Sequence, residues 1–197
     1  MTLPRIGIDF DGVIIDHRPH KLRLAEALGF VLEPWQTNAN VMERHLEDDS
    51  YRSVQKSLYG ELTVQAPPVK DALETLARLP AELYVISARR PENVASARSW
   101  MAKHRLHDIV PEDRVIFCSS GKDKREHVER LGISIFLDDK IAYLDFLPER
   151  VRRVLFDEDD VMARLAVPPQ METAASWPEF ELLVSGGERE PTRRSGA

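Results

Sequence analysis

The chain has a single cysteine in 197 residues, Cys118, so no internal disulfide can form, which is compatible with a reducing cytosol. It has no apolar run approaching the roughly 18 residues of a membrane span. It has no long basic run either: 27 lysines and arginines against 33 aspartates and glutamates leave a net charge of −6 with histidines neutral. Duplex nucleic acid and an anionic membrane surface are therefore not expected as partners. Internal repeats are absent, and the first strand begins so close to Met1 that no signal peptide is expected. These absences leave a cytoplasmic soluble protein, long enough for one substantial core and an insertion.

What is present is an alternation of short apolar runs with helical patterns. Strands are expected at Ile6–Phe10, Leu83–Ile86, Val115–Phe117, Ile133–Leu137 and Val151–Phe156. Between them, Val69, Ala72, Leu73 and Leu76 recur at helical spacing, as do Val94, Ala97, Met101 and His104 after Pro91. Val128 and Leu131 continue the pattern up to Gly132, a helix stop, and Trp177, Phe180, Leu183 and Val184 predict a last docked helix. Such alternation predicts an α/β fold: a Rossmann-like parallel sheet flanked by helices.

One interval breaks the rhythm. More than fifty residues separate the first strand from Pro67-Pro68, with helical patches at Leu22, Ala25 and Leu28, at Val41, Met42, His45 and Leu46, and at Tyr51, Val54 and Leu58. A structureless loop of that length is improbable in a compact domain, so a small helical cap inserted after the first strand is expected. The expected division is a core of 1–15 and 68–185, a cap of 16–67, and a polar tail of 186–197 that is disordered. The acidic runs Asp157-Glu158-Asp159-Asp160 and Glu47-Asp48-Asp49 read as helix starts or solvated clusters.

The first strand ends in Asp9-Phe10-Asp11-Gly12. Buried carboxylates cost several kcal/mol each unless compensated, and a bound cation is the usual compensation. Gly12 offers a tight turn where a parallel strand leaves its sheet, the edge at which ligands bind in open α/β folds. A solvated turn after a strand is the plain alternative. Three further motifs follow later strands: Ser87-Ala88-Arg89-Arg90, Gly121-Lys122-Asp123-Lys124 and Asp138-Asp139-Lys140. Parallel strands would bring all four to one edge of the sheet.

This ordered set resembles the haloacid dehalogenase superfamily, over roughly residues 5–157, and specifically its phosphatase branch. The resemblance implies that Asp9 is the nucleophile, forming an aspartyl-phosphate, and that Asp11 is the general acid–base. Ser87 would donate to a phosphoryl oxygen, with Ala88 beside it, and Arg89 would meet a second anionic group of the substrate or solvent. A lysine would neutralise the phosphoryl charge: Lys124 is favoured, with Lys122 able to reach the same phosphate. Asp138, with Asp139, would complete a Mg²⁺ site with Asp9 and the main-chain carbonyl of Asp11.

Asp11 sets this chain apart from the branches that carry threonine or alanine at that position, and favours phosphomonoester hydrolysis. A DFDGVI start, a small cap and LDD look like the deoxyribonucleotidase-like branch, so a nucleoside monophosphate is the expected substrate, with Phe30, Trp35 and Tyr51 as candidates to stack on a base. Sugar-phosphate hydrolysis, a phosphomutase and a non-catalytic phosphate binder are the alternatives. A phosphatase of polynucleotide ends fits the acidic charge poorly. His17, His20, His45 and Trp35 belong to the insertion and could touch substrate, but without a ligand pattern packing or the surface is the expected place for them, and Cys118 is expected to be an inert core thiol.

Overall fold

A computed structural model of the protein describes residues 3–165 and 171–186. Of the expected tail, Gly186 is described, and the remainder lies outside these residues. In chain order the elements are β1 (Arg5–Ile8), α1 (Arg18–Ala27), α2 (Asp48–Leu58), α3 (Glu61–Gln65), α4 (Ala72–Arg78), β2 (Glu82–Ala88), α5 (Val94–Lys103), β3 (Val115–Cys118) and α6 (Gly121–Leu131). They continue with β4 (Ile135–Asp138), α7 (Ile141–Asp145), β5 (Arg152–Phe156), α8 (Val161–Arg164), β6 (Glu172–Ala174) and α9 (Trp177–Ser185).

The six strands form one sheet in the order β3-β2-β1-β4-β5-β6, every pair parallel. Parallel strands covered on both faces read as continuous apolar runs, and β1, β2 and β4 do so because Ile6, Ile8, Val85, Ile86, Phe136 and Leu137 are all buried. One face packs Trp100, Trp177 and Phe180 from α5 and α9, and the other packs Val128 and Leu144 from α6 and α7. Gly7 keeps β1 and β4 in close register: a Cβ there would lie 2.4 Å from the Phe136 ring. β1 is the central hinge of the topology. The chain winds from β1 to β3 on one side and returns to β4 on the other, which leaves a crevice at the carboxyl ends of β1 and β4.

Some expectations move by a few residues. β1 stops at Ile8 rather than Phe10 because the Phe10 carbonyl accepts from Ile14 and Ile15 N–H instead of a neighbouring strand. β4 starts at Ile135 rather than Ile133, since Ile133 N–H donates back to Val128 across the Gly132 helix stop. The helical patch around Met42 is a 3₁₀ turn, Met42–Arg44. The Asn38 side chain accepts from Asn40 N–H just before it, a local bond that competes with regular helix. β6 was not expected. Its three residues have no apolar run and become a strand through pairing with β5.

Between β1 and β2 the chain forms α1 to α3, with its own apolar cluster of Ala25, Met42, Leu46 and Val54. The two ends of this segment are tied together. Asp16 N–H donates to Pro67 O at 2.9 Å, and Val69 N–H to Ile14 O at 2.8 Å. The run Asp157–Asp160 starts α8: the Asp157 carboxylate accepts from Val161 and Met162 N–H. Glu158 pairs with Arg18 at the start of α1. Among the described residues, no helix is long and apolar enough to cross a membrane.

Candidate active site

The crevice holds two carboxylate sets with different partners. Lys124, fully buried on α6, donates to Asp9 Oδ1 at 3.0 Å and to Asp138 Oδ2 at 2.6 Å. Its ammonium also lies 4.7 Å from the centre of the Tyr143 ring and 5.2 Å from that of Phe136. Burial alone would depress Lys124, but Asp138 and Asp9 hold it well above the usual lysine range. Burial pushes Asp9 well up; Lys124 opposes this, while Asp138, Asp11 and Asp139 reinforce it. Asp139 is likewise pushed up to about 7 by burial and by Asp138.

Asp11 has the opposite environment. Arg89 grips it with both ends of the guanidinium, Nη2 to Oδ1 at 2.6 Å and Nε to Oδ2 at 2.9 Å. His17 Nε2 lies 2.8 Å from Oδ1, and Ser87 Oγ donates to Oδ2 at 3.2 Å. Burial would raise Asp11, but Arg89 and then His17 overcome it and hold the carboxyl well below the usual range. An acceptor-only carboxylate at Oδ1 requires the proton on His17 Nε2. That leaves the buried Nδ1, which has no hydrogen-bond partner among the described residues, as a lone pair.

Several expected site residues therefore meet: Asp9, Asp11, Ser87, Ala88 and Asp139 line one cleft of about 620 Å³ including its open mouth. Lys124 and Asp138 lie directly beneath it. Two expectations need correction. Lys122 is exposed and does not line the cleft, because residues two apart on a helix point to opposite sides and α6 turns Lys124 inward. Arg89 is open neither to a second anion nor to solvent here; it is 3% exposed, and its donors are taken by Asp11, Thr63 Oγ1, Ser96 Oγ and Asn93 O. Of the three aromatic candidates only Tyr51 lines the cleft. Phe30 packs on the α1–α2 cluster, and Trp35 stands edge-on to His45.

The cleft also contains His17, one of the insertion residues that could touch substrate, and residues that the sequence did not single out. His17 and Lys21 line it from the start of α1, Gln55 and Tyr59 from α2 and its end, and Lys140 from the turn after β4. The only sequence signal was the i, i+4 spacing of His17 and Lys21 just beyond the aspartate pair, which is common on any helix face. Asn40 binds this turn from outside: its Nδ2 donates to Asp139 O at 2.7 Å and its Oδ1 accepts from Ile141 N–H at 2.9 Å.

The residues present fit a hard cation. Asp9, Asp138 and Asp139 each offer an oxygen, and these oxygens lie within 4.8 Å of one another. Gly12 leaves the room that brings Asp139 in. Its φ is +81°, and a Cβ there would lie 2.1 Å from Asp139 Oδ2. Burial and mutual repulsion raise Asp9 and Asp139, and a divalent cation among their oxygens would favour the ionised forms.

No protein-family model matches the chain. It is 24% identical over 190 residues to a Bacillus cereus protein named "Putative nucleotidase", covering 91% of this chain and 97% of that one. Its fold matches solved haloacid dehalogenase-like structures. A conserved protein of unknown function from Agrobacterium tumefaciens superposes with TM-score 0.65 at 13% identity, over 93% of this chain and 98% of the other. A structure titled "putative phosphoglycolate phosphatase", from Lactobacillus plantarum, gives TM-score 0.59 at 13% identity, over 93% and 100% of the two chains.

Proposed function

We propose that this chain, which has the haloacid dehalogenase fold, is a Mg²⁺-dependent phosphomonoester hydrolase that works through an aspartyl-phosphate on a small soluble substrate. The observation that carries this reading is the contrast between two aspartates two residues apart: Asp9 faces Lys124 and the Asp138–Asp139 pair, whereas Asp11 is held by Arg89 and His17. One oxygen of Asp9 forms a bond to phosphorus as the bond to the leaving oxygen breaks, and Asp11 supplies the proton that the leaving oxygen takes. Water then attacks the phosphorus, Asp11 accepts its proton, and Asp9 is regenerated. Arg89 and His17 hold Asp11 ionised, the form needed for that second half. The charge of an arriving phosphate favours proton uptake for the first.

Mg²⁺, held by Asp9, Asp138, Asp139 and the Asp11 main-chain carbonyl, would offset the repulsion between an anionic nucleophile and an anionic ester. Lys124 neutralises charge at Asp9, and Ser87, whose hydroxyl donates to Asp11 Oδ2 here, would turn to donate to a phosphoryl oxygen. Residues 16–67 form the cap that closes over the cleft and selects the leaving group. Likeness to a protein named as a nucleotidase and the position of Tyr51 support a nucleoside monophosphate. A sugar phosphate is the second reading, favoured by Phe30 and Trp35 packing away from the cleft.

Phosphate release from p-nitrophenyl phosphate, nucleoside monophosphates and sugar phosphates by Mg²⁺-loaded protein tests the proposal. Turnover that chelation of the metal abolishes is expected, and no turnover of any phosphomonoester would overturn it.

A further inference from the structure

Lys21 is a buried cation with no ion-pair partner among the described residues. It is 9% exposed, yet its ammonium makes one hydrogen bond, to Thr37 O at 2.9 Å, and no ion pair with any carboxylate among the described residues. Every other buried cation of this region is matched: Lys124 has Asp9 and Asp138, and Arg89 has Asp11. A buried ammonium is costly unless paired, and one main-chain carbonyl satisfies one of its three donors. The carboxylates that act on Lys21 from a distance are Asp139 first, then Asp11 and Asp16. A cation among Asp9, Asp138 and Asp139 would share the charge of the first, leaving the ammonium still less compensated.

The position of Lys21 identifies what it waits for. It lines the same cleft as Asp9 and Asp11, one helical turn after the His17 that contacts Asp11, and borders the adjoining pocket of Asp16, Thr37 and Glu158. The phosphoryl group already has Lys124, which bonds the nucleophile Asp9. Lys140, half-buried with its ammonium over the Tyr143 ring and also without an ion pair among the described residues, adds a second positive charge to the cleft wall.

We infer that Lys21 forms an anion subsite for the leaving group, so that the preferred substrate is a phosphomonoester carrying a second acidic group, carboxylate or phosphate, within a few bonds of the ester oxygen. This rests on the phosphomonoesterase reading but favours an acidic leaving group over a nucleoside or a simple sugar: a neutral alcohol leaves the ammonium unpaired, and an acidic one pairs it.

Three esters on one carbon skeleton test this: 3-phosphoglycerate, glycerol 1,3-bisphosphate and glycerol 3-phosphate, which place a carboxylate, a phosphate or a hydroxyl at the same carbon. With Mg²⁺-loaded protein, kcat/KM for at least one acidic ester should exceed that for glycerol 3-phosphate roughly 10- to 100-fold, the range expected of a charge-assisted contact. Which of the two is favoured identifies the acid. Lys21→Met should bring the ratio to within about threefold, and Lys21→Arg should keep much of it. The same contrast is read without turnover by calorimetric binding of the three esters to Asp9→Asn and to Asp9→Asn/Lys21→Met. Equal affinity of Asp9→Asn for acidic and neutral esters overturns the subsite, as does a Lys21→Met variant that weakens all three esters alike. Selective binding with no turnover by the unmutated enzyme would overturn the hydrolase reading and leave the subsite standing.

Discussion

Burial pushes the carboxyls of Asp9 and Asp11 in the same direction, upward, and the surrounding charges then separate them: three other carboxylates crowd Asp9, whereas a bidentate arginine and a histidine hold Asp11. Asp9→Asn should abolish turnover with an unchanged circular dichroism spectrum, and appreciable residual hydrolysis would remove Asp9 as nucleophile. Asp11→Asn should slow both halves of the reaction, visible in single-turnover kinetics as slow formation and slow loss of the phospho-enzyme. Arg89→Met leaves a buried carboxylate without its main partner, which costs about 3–5 kcal/mol. A urea titration should show that loss, and a change below about 1 kcal/mol would mean that solvent replaces the arginine. Of these residues Asp9, Asp11 and Ser87 were legible in the sequence, because strand ends followed by D-x-D-G and S-A-R are local patterns. The role of Arg89 was not, since its partner lies 78 positions away.

At the scale of elements, the turn after β4 depends on a residue from the inserted segment. Asn40 bonds the carbonyl of Asp139 and the N–H of Ile141, so it spans the turn that presents Asp139. Asn40→Ala removes both hydrogen bonds to the turn, each worth about 1 kcal/mol, and a third to Asn38 Oδ1. The Mg²⁺ concentration for half-maximal activity should rise several-fold, with a smaller change in kcat at saturating metal; an unmoved metal requirement would show that β4 and α7 position Asp139 unaided. The helices that were legible are those with sustained apolar spacing and stop signals, such as α6 ending at Gly132. The Met42 turn and β6 were not, because one is shaped by Asn38 side-chain bonding and the other by pairing with β5.

For the whole molecule, the sheet order makes the switch between β1 and β4 the place where carboxylates from distant segments accumulate. Metal-free protein should therefore lose stability as pH rises. Asp139, raised to about 7, binds its proton more tightly folded than unfolded, where a carboxyl titrates near about 4. Between those values the native state holds the extra proton, so the stability it contributes is present below about 4 and lost as pH approaches 7. Asp9, also raised, acts in the same direction, while depressed Asp11 adds stability that is lost only as pH falls below the ordinary carboxyl range. Mg²⁺ needs the ionised carboxylates, so it should raise the melting temperature more at pH 8 than at pH 5. Equal shifts at the two values would show that this cluster is not where Mg²⁺ binds.

The sequence by itself determined the α/β alternation, the aspartate pair at the end of the first strand, and the order of the later motifs, because apolar periodicity and turn chemistry act over a few residues. The tertiary structure decided which lysine faces Asp9, what Arg89 binds, and that Lys21 lines the cleft with no ion pair among the described residues. Each of those outcomes depends on how helix rotation and strand order bring together charges far apart in the chain, and no local pattern records that.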